Sequence, residues 1–306
     1  MSSQVSMAKT LPHIDVCICT YQRPVMLKHL LTELRRQETH GLFSFSVVVV
    51  DNDEKQSAKD VVLDLAQTYP VHLNYDTELR RSISHARNKT LEHAQRDFIA
   101  FIDDDEFPCQ DWLLNLFQAC GKSEVAGVLG PVRPYFDDKA PAWVLRSGLY
   151  SRPEHHTGFV MTWQECRAGN VLFRRQIIRS IDPVFRPEFG SGSEDVDFFR
   201  RMMAAGHGFI WCNEAVVHEF VPSQRWKRTV LLKRALLRGR ISLKHPEGRW
   251  LNVAKALVAV PLYTLALPFL YLAGHHLFMR CLVKLCDHVG RLLGLLGINP
   301  VRERAM

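Results

Sequence analysis

Neither a Gly-x-Gly-x-x-Gly nor a Gly-Lys-Ser/Thr loop follows the first predicted strand, which disfavours the Rossmann and P-loop ways of holding phosphates. The eight cysteines include no Cys-x-x-Cys pair. Several lie inside apolar runs, so reduced core thiols and a cytosolic compartment are expected. Met1–Pro12 lacks an apolar stretch, so no signal peptide is expected, and no internal repeat is visible. Acidic residues are scarce in one region only. From Arg225 to Met306 there are 15 Lys/Arg against three acids, Glu247, Asp287 and Glu303, while residues 1–224 hold 24 against 29. An acidic front and a basic tail imply two different jobs. At 306 residues, 47% hydrophobic and 23% charged, the chain has ample material for one large core with an appendage.

The front half alternates strand and helix. His13–Cys19 is rich in β-branched residues, and Leu27, Leu30, Leu31 and Leu34 follow at helical spacing behind Pro24. Further strands are predicted at Phe45–Val50, Val71–Tyr75, Phe98–Ile102 and Phe209–Cys212. Helices are predicted around Val61–Ala66, over Ser84–Ala94, and from Ser191 to Gly206. This order argues for an α/β fold, a mostly parallel sheet with helices on both faces, and such sheets bind ligands at the carboxyl ends of their strands. The polar residues collect there: Thr20, Tyr21, Arg23 and Pro24, then Asp51, Asn52 and Asp53, then Asp103 to Glu106. An aromatic, an arginine and carboxylates suit a nucleotide, with carboxylates for base and ribose and a metal for the diphosphate.

Phe98-Ile-Ala-Phe-Ile102 runs straight into Asp103-Asp-Asp-Glu106. Four acids at the end of a buried strand repel one another and resist desolvation unless a cation neutralises them. A solvated acidic turn is the plain alternative. Mg²⁺ or Mn²⁺ would take one or two such carboxylates and leave its other positions to water and phosphate. The Asp103-x-Asp105 spacing puts both side chains on one side if the strand conformation persists. Phosphatases and phosphoryl-transfer enzymes share that spacing.

Six segments in order, Val16-Cys-Ile-Cys-Thr-Tyr-Gln-Arg-Pro24, Val50-Asp-Asn-Asp53, Ala86-Arg-Asn88, Phe101-Ile-Asp-Asp-Asp-Glu106, Gly169-Asn170 and Ser193-Glu-Asp-Val-Asp197, resemble the motifs of glycosyltransferase family 2. The match spans roughly residues 13–220, and within the family the chain is most similar to bacterial succinoglycan-type exopolysaccharide glucosyltransferases. The resemblance implies a GT-A fold. It implies that Thr20, Tyr21 and Asp51, with Arg23, Asp53 and Arg87 nearby, hold the donor nucleotide. Asp103 and Asp104 would face the ribose and metal region, and Asp105 would be the principal metal ligand, with Asp103 and His218 completing the shell. A surface or capping role for His218 stays open. The family pattern before Ala-Arg-Asn usually contains glycine; here it reads Arg80-Arg81-Ser82-Ile83-Ser84-His85.

Ser191 and Glu194 fit a capping box, and Gly206 fits the stop of the same helix. Glu194 and Asp195 would then simply favour a helix N-terminus. In the family reading Asp195 is the general base on an acceptor hydroxyl, and Glu194 positions the acceptor or Asp195. A positioned base contributes ~10²–10⁴-fold. The two carboxylate sites would divide the work, giving direct displacement with inversion. Asn170 and Trp143 are candidates for the acceptor sugar, although core packing is the ordinary fate of a tryptophan. Gln224-Arg225-Trp226 lacks the spacing of the processive synthases, so processivity is not inferred.

The tail divides at residue 225, giving a catalytic region over 11–224 and a basic and apolar helical membrane-associating region over 225–306. Ala256–Gly274 is uncharged and mostly apolar, interrupted by Pro261 and Pro268. A straight span needs ~20 apolar residues. Basic flanks on both sides favour a kinked hairpin or interfacial helices with both ends cytoplasmic; a buried core hairpin is the alternative. An anionic membrane surface is the expected partner, each Lys or Arg adding ~1 kcal/mol. Nucleic acid is disfavoured because no nucleic-acid motif accompanies the charge.

The expectation is therefore a metal-dependent, inverting hexosyltransferase on the cytoplasmic face of the bacterial inner membrane. It would use UDP-glucose and a lipid-linked saccharide. The rivals are a sugar-nucleotide nucleotidyltransferase, an aspartate-nucleophile phosphatase, and a membrane-recruited module that binds a nucleotide sugar without transfer.

Overall fold

Period-two alternation in the first and fourth strands sorts their side chains onto two faces of one sheet, and each face has its own helices. In the computed structural model, which describes residues 11–137, 139–190, 192–244 and 249–299, the chain divides into two compact units. The first contains the described residues of 1–132, 154–190 and 194–218; the second contains those of 133–153, 191–193 and 219–306.

The strands in chain order are β1 (His13–Thr20), β2 (Ser44–Asp51), β3 (Leu73–Thr77), β4 (Phe98–Ile102), β5 (Glu106–Pro108), β6 (Gly127–Leu129), β7 (Val132–Tyr135), β8 (Asn170–Arg174), β9 (Phe209–Trp211) and β10 (Val217–Phe220). The helices are α1 (Pro24–Leu34), α2 (Lys59–Ala66), α3 (Ile83–His93), α4 (Trp112–Lys122), α5 (Ala142–Ser147), α6 (Glu194–Ala204), α7 (Arg228–Ile241), α8 (Arg249–Ala273) and α9 (His275–Leu295).

In the first unit seven strands form a sheet of order β3-β2-β1-β4-β8-β6-β9. β1 pairs in parallel with β2 and β4, and β2 with β3. β8 alone runs the other way, antiparallel to β4 and β6, while β6 and β9 are parallel. The carboxyl ends of six strands and the start of β8 therefore share one rim. Ile14, Val16 and Ile18, with Phe98, Ala100 and Ile102, pack with α1 and α4 into one core. Cys17, Ile99 and Phe101 join Phe173, Phe198 and Phe199 in the other. The Leu27–Leu34 stripe of α1 is fully buried, and each such side chain contributes about 1.5–3 kcal/mol. The expected α/β fold with helices on both faces is what forms. All eight cysteines are free thiols.

The second unit is helical. α9 packs along α7 and α8 and also meets α5. A Cβ on Gly290 would lie 2.2 Å from the Leu236 carbonyl oxygen, and one on Gly239 would lie 2.0 Å from that of Asp287, so α7 and α9 approach backbone to backbone. Arg238 joins the same helices through a two-pronged ion pair to Asp287. α8 is one continuous helix through Pro261 and Pro268 and turns into α9 at Gly274, whose φ of 149° suits glycine. It is long and apolar enough to cross a membrane, and only 6% of its apolar window is buried. Leu265, Phe269 and Leu272 are 70%, 74% and 84% exposed. A buried core hairpin, the alternative held open above, is not what α8 forms.

Candidate active site

β4 ends at Ile102, and the chain turns at once, with the Glu106 amide donating to the Asp103 carbonyl. The strand conformation does not persist through Asp105, so the condition for placing Asp103 and Asp105 on one side is not met. The run splits into different environments instead. Asp104 turns inward: its Oδ2 accepts from the Thr20 hydroxyl at 2.8 Å and its Oδ1 from Arg23 Nη1 at 2.7 Å. Burial pushes the Asp104 carboxyl up to about 6, against the pull of Arg23. Arg23 Nη1 also lies 3.0 Å from Asp105 Oδ2. Asp103 stays half-exposed and faces Arg87, whose Nη2 is 3.4 Å from Asp103 Oδ1.

Arg87 is the hub of the site. It leaves α3 with almost no exposure, passes the rings of Phe101 and Phe185 at 5.9 and 5.6 Å, and donates from Nη1 to Glu194 Oε1 at 2.5 Å. Asn88 braces the Phe185 segment by two hydrogen bonds to its backbone. Burial pushes the Glu194 carboxyl upward, the Arg87 charge opposes this, and the neighbouring Asp195 adds to it. A buried guanidinium and carboxylate at this distance satisfy each other as an ion pair. Asp195, at the start of α6, is half-buried; its Oδ2 accepts from the Ala168 amide at 3.2 Å and its Oδ1 from the Val196 amide at 2.8 Å. Arg87 thus connects the acid run at β4 to the acid pair at α6, a bridge that sequence reasoning missed when it grouped Arg87 with the nucleobase. The buried neighbours of Arg87 on α3 are Ser84, Ala86, Thr90 and Leu91, so no apolar stripe singles it out in the sequence.

Asp51 is completely buried. It accepts from the amides of Asp53 and Ala58 and from the Tyr75 hydroxyl, and burial raises its pKa. Asp53 accepts from the Lys55 amide and from Gln22. Tyr21 carries the Arg81 guanidinium over its ring at 4.9 Å. Arg81 is placed by Asn52, whose side chain donates to the carbonyls of Glu78 and Arg80 and accepts from the Ser82 amide. The sequence places Asn52 among the polar residues of the rim and Arg81 in a loop that departs from the family pattern, but not the clamp they form, because a clamp between β2 and the β3–α3 loop leaves no spacing signature.

Asn170 is 2% exposed. Its Oδ1 accepts from Trp112 Nε1, and its Nδ2 donates to the carbonyls of Pro131 and Ala215. The acceptor-sugar contact expected of it is not available, because the whole amide is spent tying β8 to its surroundings. Trp143 stands on α5 in the second unit, its ring 5.2 Å from that of His275. The ring of His218 stacks on Phe107 at 5.4 Å. Ser191, expected to cap α6, lies outside the described residues.

The donor atoms suit a hard divalent cation. A Cβ on Gly169 would come within 2.7 Å of Glu106 Oε1 and 3.0 Å of Asp103 Oδ2, so glycine keeps this carboxylate cradle clear. Among the described residues no group of three or more His, Cys, Asp or Glu converges as a ready metal cage. The expected shell of Asp105, Asp103 and His218 is therefore not assembled among these residues.

Solved structures similar to this chain identify the fold. A mannosyltransferase from Pyrobaculum calidifontis, PcManGT, in complex with GDP-Man and Mn²⁺, matches with a TM-score of 0.64 at 20% identity over 95% of this chain and 89% of that one. S. aureus TarS 1–349 in complex with UDP matches with a TM-score of 0.54 at 15% identity over 95% of each chain. The longer TarS chain is covered over 55% of its length. The fold is thus the GT-A fold. Residues 15–181 match the family model described as Glycosyl transferase family 2. The succinoglycan biosynthesis protein ExoM of Rhizobium meliloti (strain 1021) is 38% identical over 231 residues, 74% of this chain and 73% of its own. The chain belongs to glycosyltransferase family 2, and its similarity is to the succinoglycan type.

Proposed function

We propose that this glycosyltransferase moves a hexose, glucose from UDP-glucose, onto a lipid-linked saccharide during exopolysaccharide synthesis, with inversion at the anomeric carbon. The observation that carries this reading is the Asp103–Arg87–Glu194 bridge, which ties a carboxylate run suited to a leaving diphosphate to the carboxylate pair of α6. Thr20, Tyr21, Asp51, Asp53 and Arg81 form the nucleoside end, and Asp103 and Asp105 the diphosphate end. Mn²⁺ or Mg²⁺ held there would act as a Lewis acid on the departing phosphate oxygens. Asp195 takes the proton from the acceptor hydroxyl, and Glu194, paired with Arg87, positions it. A base on the face opposite the leaving group gives direct displacement without a covalent intermediate. The named relative ExoM and the UDP-bound TarS support the pathway class and the donor class.

The catalytic work is assigned to residues 11–224 and membrane attachment to 225–306. The exposed apolar length of α8, between basic α7 and α9, supports attachment to an anionic membrane surface. The cytoplasmic face of the bacterial inner membrane is where sugar nucleotides and lipid-linked acceptors meet. The test is UDP release with Mn²⁺ across a panel of sugar nucleotides, using membrane extract as acceptor source. Asp195→Asn is expected to lose ~10²–10⁴-fold in turnover while still binding UDP. An Asp195→Asn enzyme as fast as wild type would remove Asp195 as the base. Donor binding without release in every extract would favour a binding module.

A further inference from the structure

Arg23 occupies the place where a cation is wanted. Its Nη1 contacts both Asp104 Oδ1 and Asp105 Oδ2, so one guanidinium neutralises two adjacent carboxylates at the tip of β4. The two partners are not equally fixed. Asp104 is buried and separately held by the Thr20 hydroxyl. The Arg23 side chain is 40% exposed and springs from the turn before α1, where Gln22 has a φ of 53°. Arg23 is therefore the partner able to swing, and the carboxylates form the fixed wall.

A guanidinium and a divalent ion placed against the same carboxylate repel each other. A diphosphate offers Arg23 another partner, since the planar guanidinium matches phosphate oxygens with two parallel donors. We propose that Arg23 is a switching counter-ion. Without nucleotide it guards Asp104 and Asp105 and keeps the divalent ion weakly bound. When a nucleoside diphosphate arrives, it moves onto the phosphates and releases Asp105 to the ion. This rests on the metal-dependent donor binding proposed above. Linkage makes the effect reciprocal: nucleotide tightens the ion, and the ion tightens nucleotide, by the same factor. Arg23 carries that coupling.

The test uses the full chain in detergent, with Mn²⁺ binding read from the spin-resonance signal of the free ion and UDP binding read by calorimetry. Arg23→Gln is expected to bind Mn²⁺ alone about two- to five-fold more tightly than wild type, the scale of a partly exposed charge pair. Its affinity for UDP at saturating Mn²⁺ is expected to fall about tenfold or more, for loss of a charge-assisted contact. Arg23→Lys keeps the charge but not the fork, so its affinity for Mn²⁺ alone should stay near wild type while UDP binding weakens a few-fold. Unchanged or weaker Mn²⁺ binding by Arg23→Gln, or unchanged UDP binding, overturns the switch. If the glutamine variant does not fold, the lysine variant decides, and UDP affinity equal to wild type overturns the proposal. Equal Mn²⁺–UDP binding by all three proteins would leave the metal-dependent reading standing and the switch refuted. Absence of Mn²⁺ binding even with UDP would bring down both.

Discussion

Replacing Arg87 with methionine tests the central bridge. Methionine fills much of the space between Phe101 and Phe185 but removes the charge, leaving Glu194, with a side chain only 5% exposed, without its 2.5 Å partner. Removing one member of a buried pair typically costs about 3–5 kcal/mol. Glu194 can relieve part of this by taking up a proton, since burial already pushes it upward, so the lower end, about 3 kcal/mol, is expected. The assay is urea unfolding followed by tryptophan fluorescence, for which Trp112 is a buried reporter in the same unit. Glu194→Gln in the Arg87→Met background removes the stranded charge and should recover most of the stability, because a neutral pair no longer needs a counter-ion. Turnover should not recover with it, since Asp195 has lost its braced neighbour. A loss below about 1 kcal/mol in Arg87→Met, or a double variant less stable than the single one, would refute the ion-pair reasoning.

Three further outcomes follow from other contacts. Asn170→Ala strands the Trp112 indole and two carbonyls in the interior and should cost about 2–4 kcal/mol, visible as a lower melting temperature. Gly290→Val would drive a Cβ into the Leu236 carbonyl and force α7 from α9; a loss of about 3 kcal/mol should show as faster proteolysis within residues 228–295. Burial lowers the pKa of His13 below its ordinary 6.5. The unfolded chain therefore takes up a proton first as pH falls, and the stability from neutral His13 is present above 6.5 and lost as pH drops through the folded value. Urea midpoints of wild type should consequently fall relative to those of His13→Gln between pH 7 and pH 5, and parallel curves would count against the assignment.

The strand–helix order up to Ile102, the strand ends carrying acids and the apolar, proline-bearing tail were legible in the sequence, because each is a local pattern of period, charge or composition, whereas α4 and the short strands β5, β6 and β7 were not read. β4 falls at Phe98–Ile102 and α1 opens at Pro24, as the pattern requires. The antiparallel β8 left no such trace. Its reversal depends on pairing with β4 and β6, which are distant in the chain. The site divides the same way. A run of three aspartates announces a cation-seeking strand end, but which aspartate turns inward depends on Thr20 and Arg23 more than 80 residues earlier.

The sequence by itself determined the residue types of the site, their family and the amphiphilic tail, since those follow from motif order and composition. Only the tertiary structure decided how the charges pair. It joined Arg87 to Glu194 across 107 residues, removed Asn170 from the ligand side, and set Arg23 against Asp104 and Asp105. Ion pairs and buried hydrogen bonds are contacts at about 3 Å between groups that sequence distance does not order. Their partners are fixed only when the sheet brings its carboxyl ends to one rim.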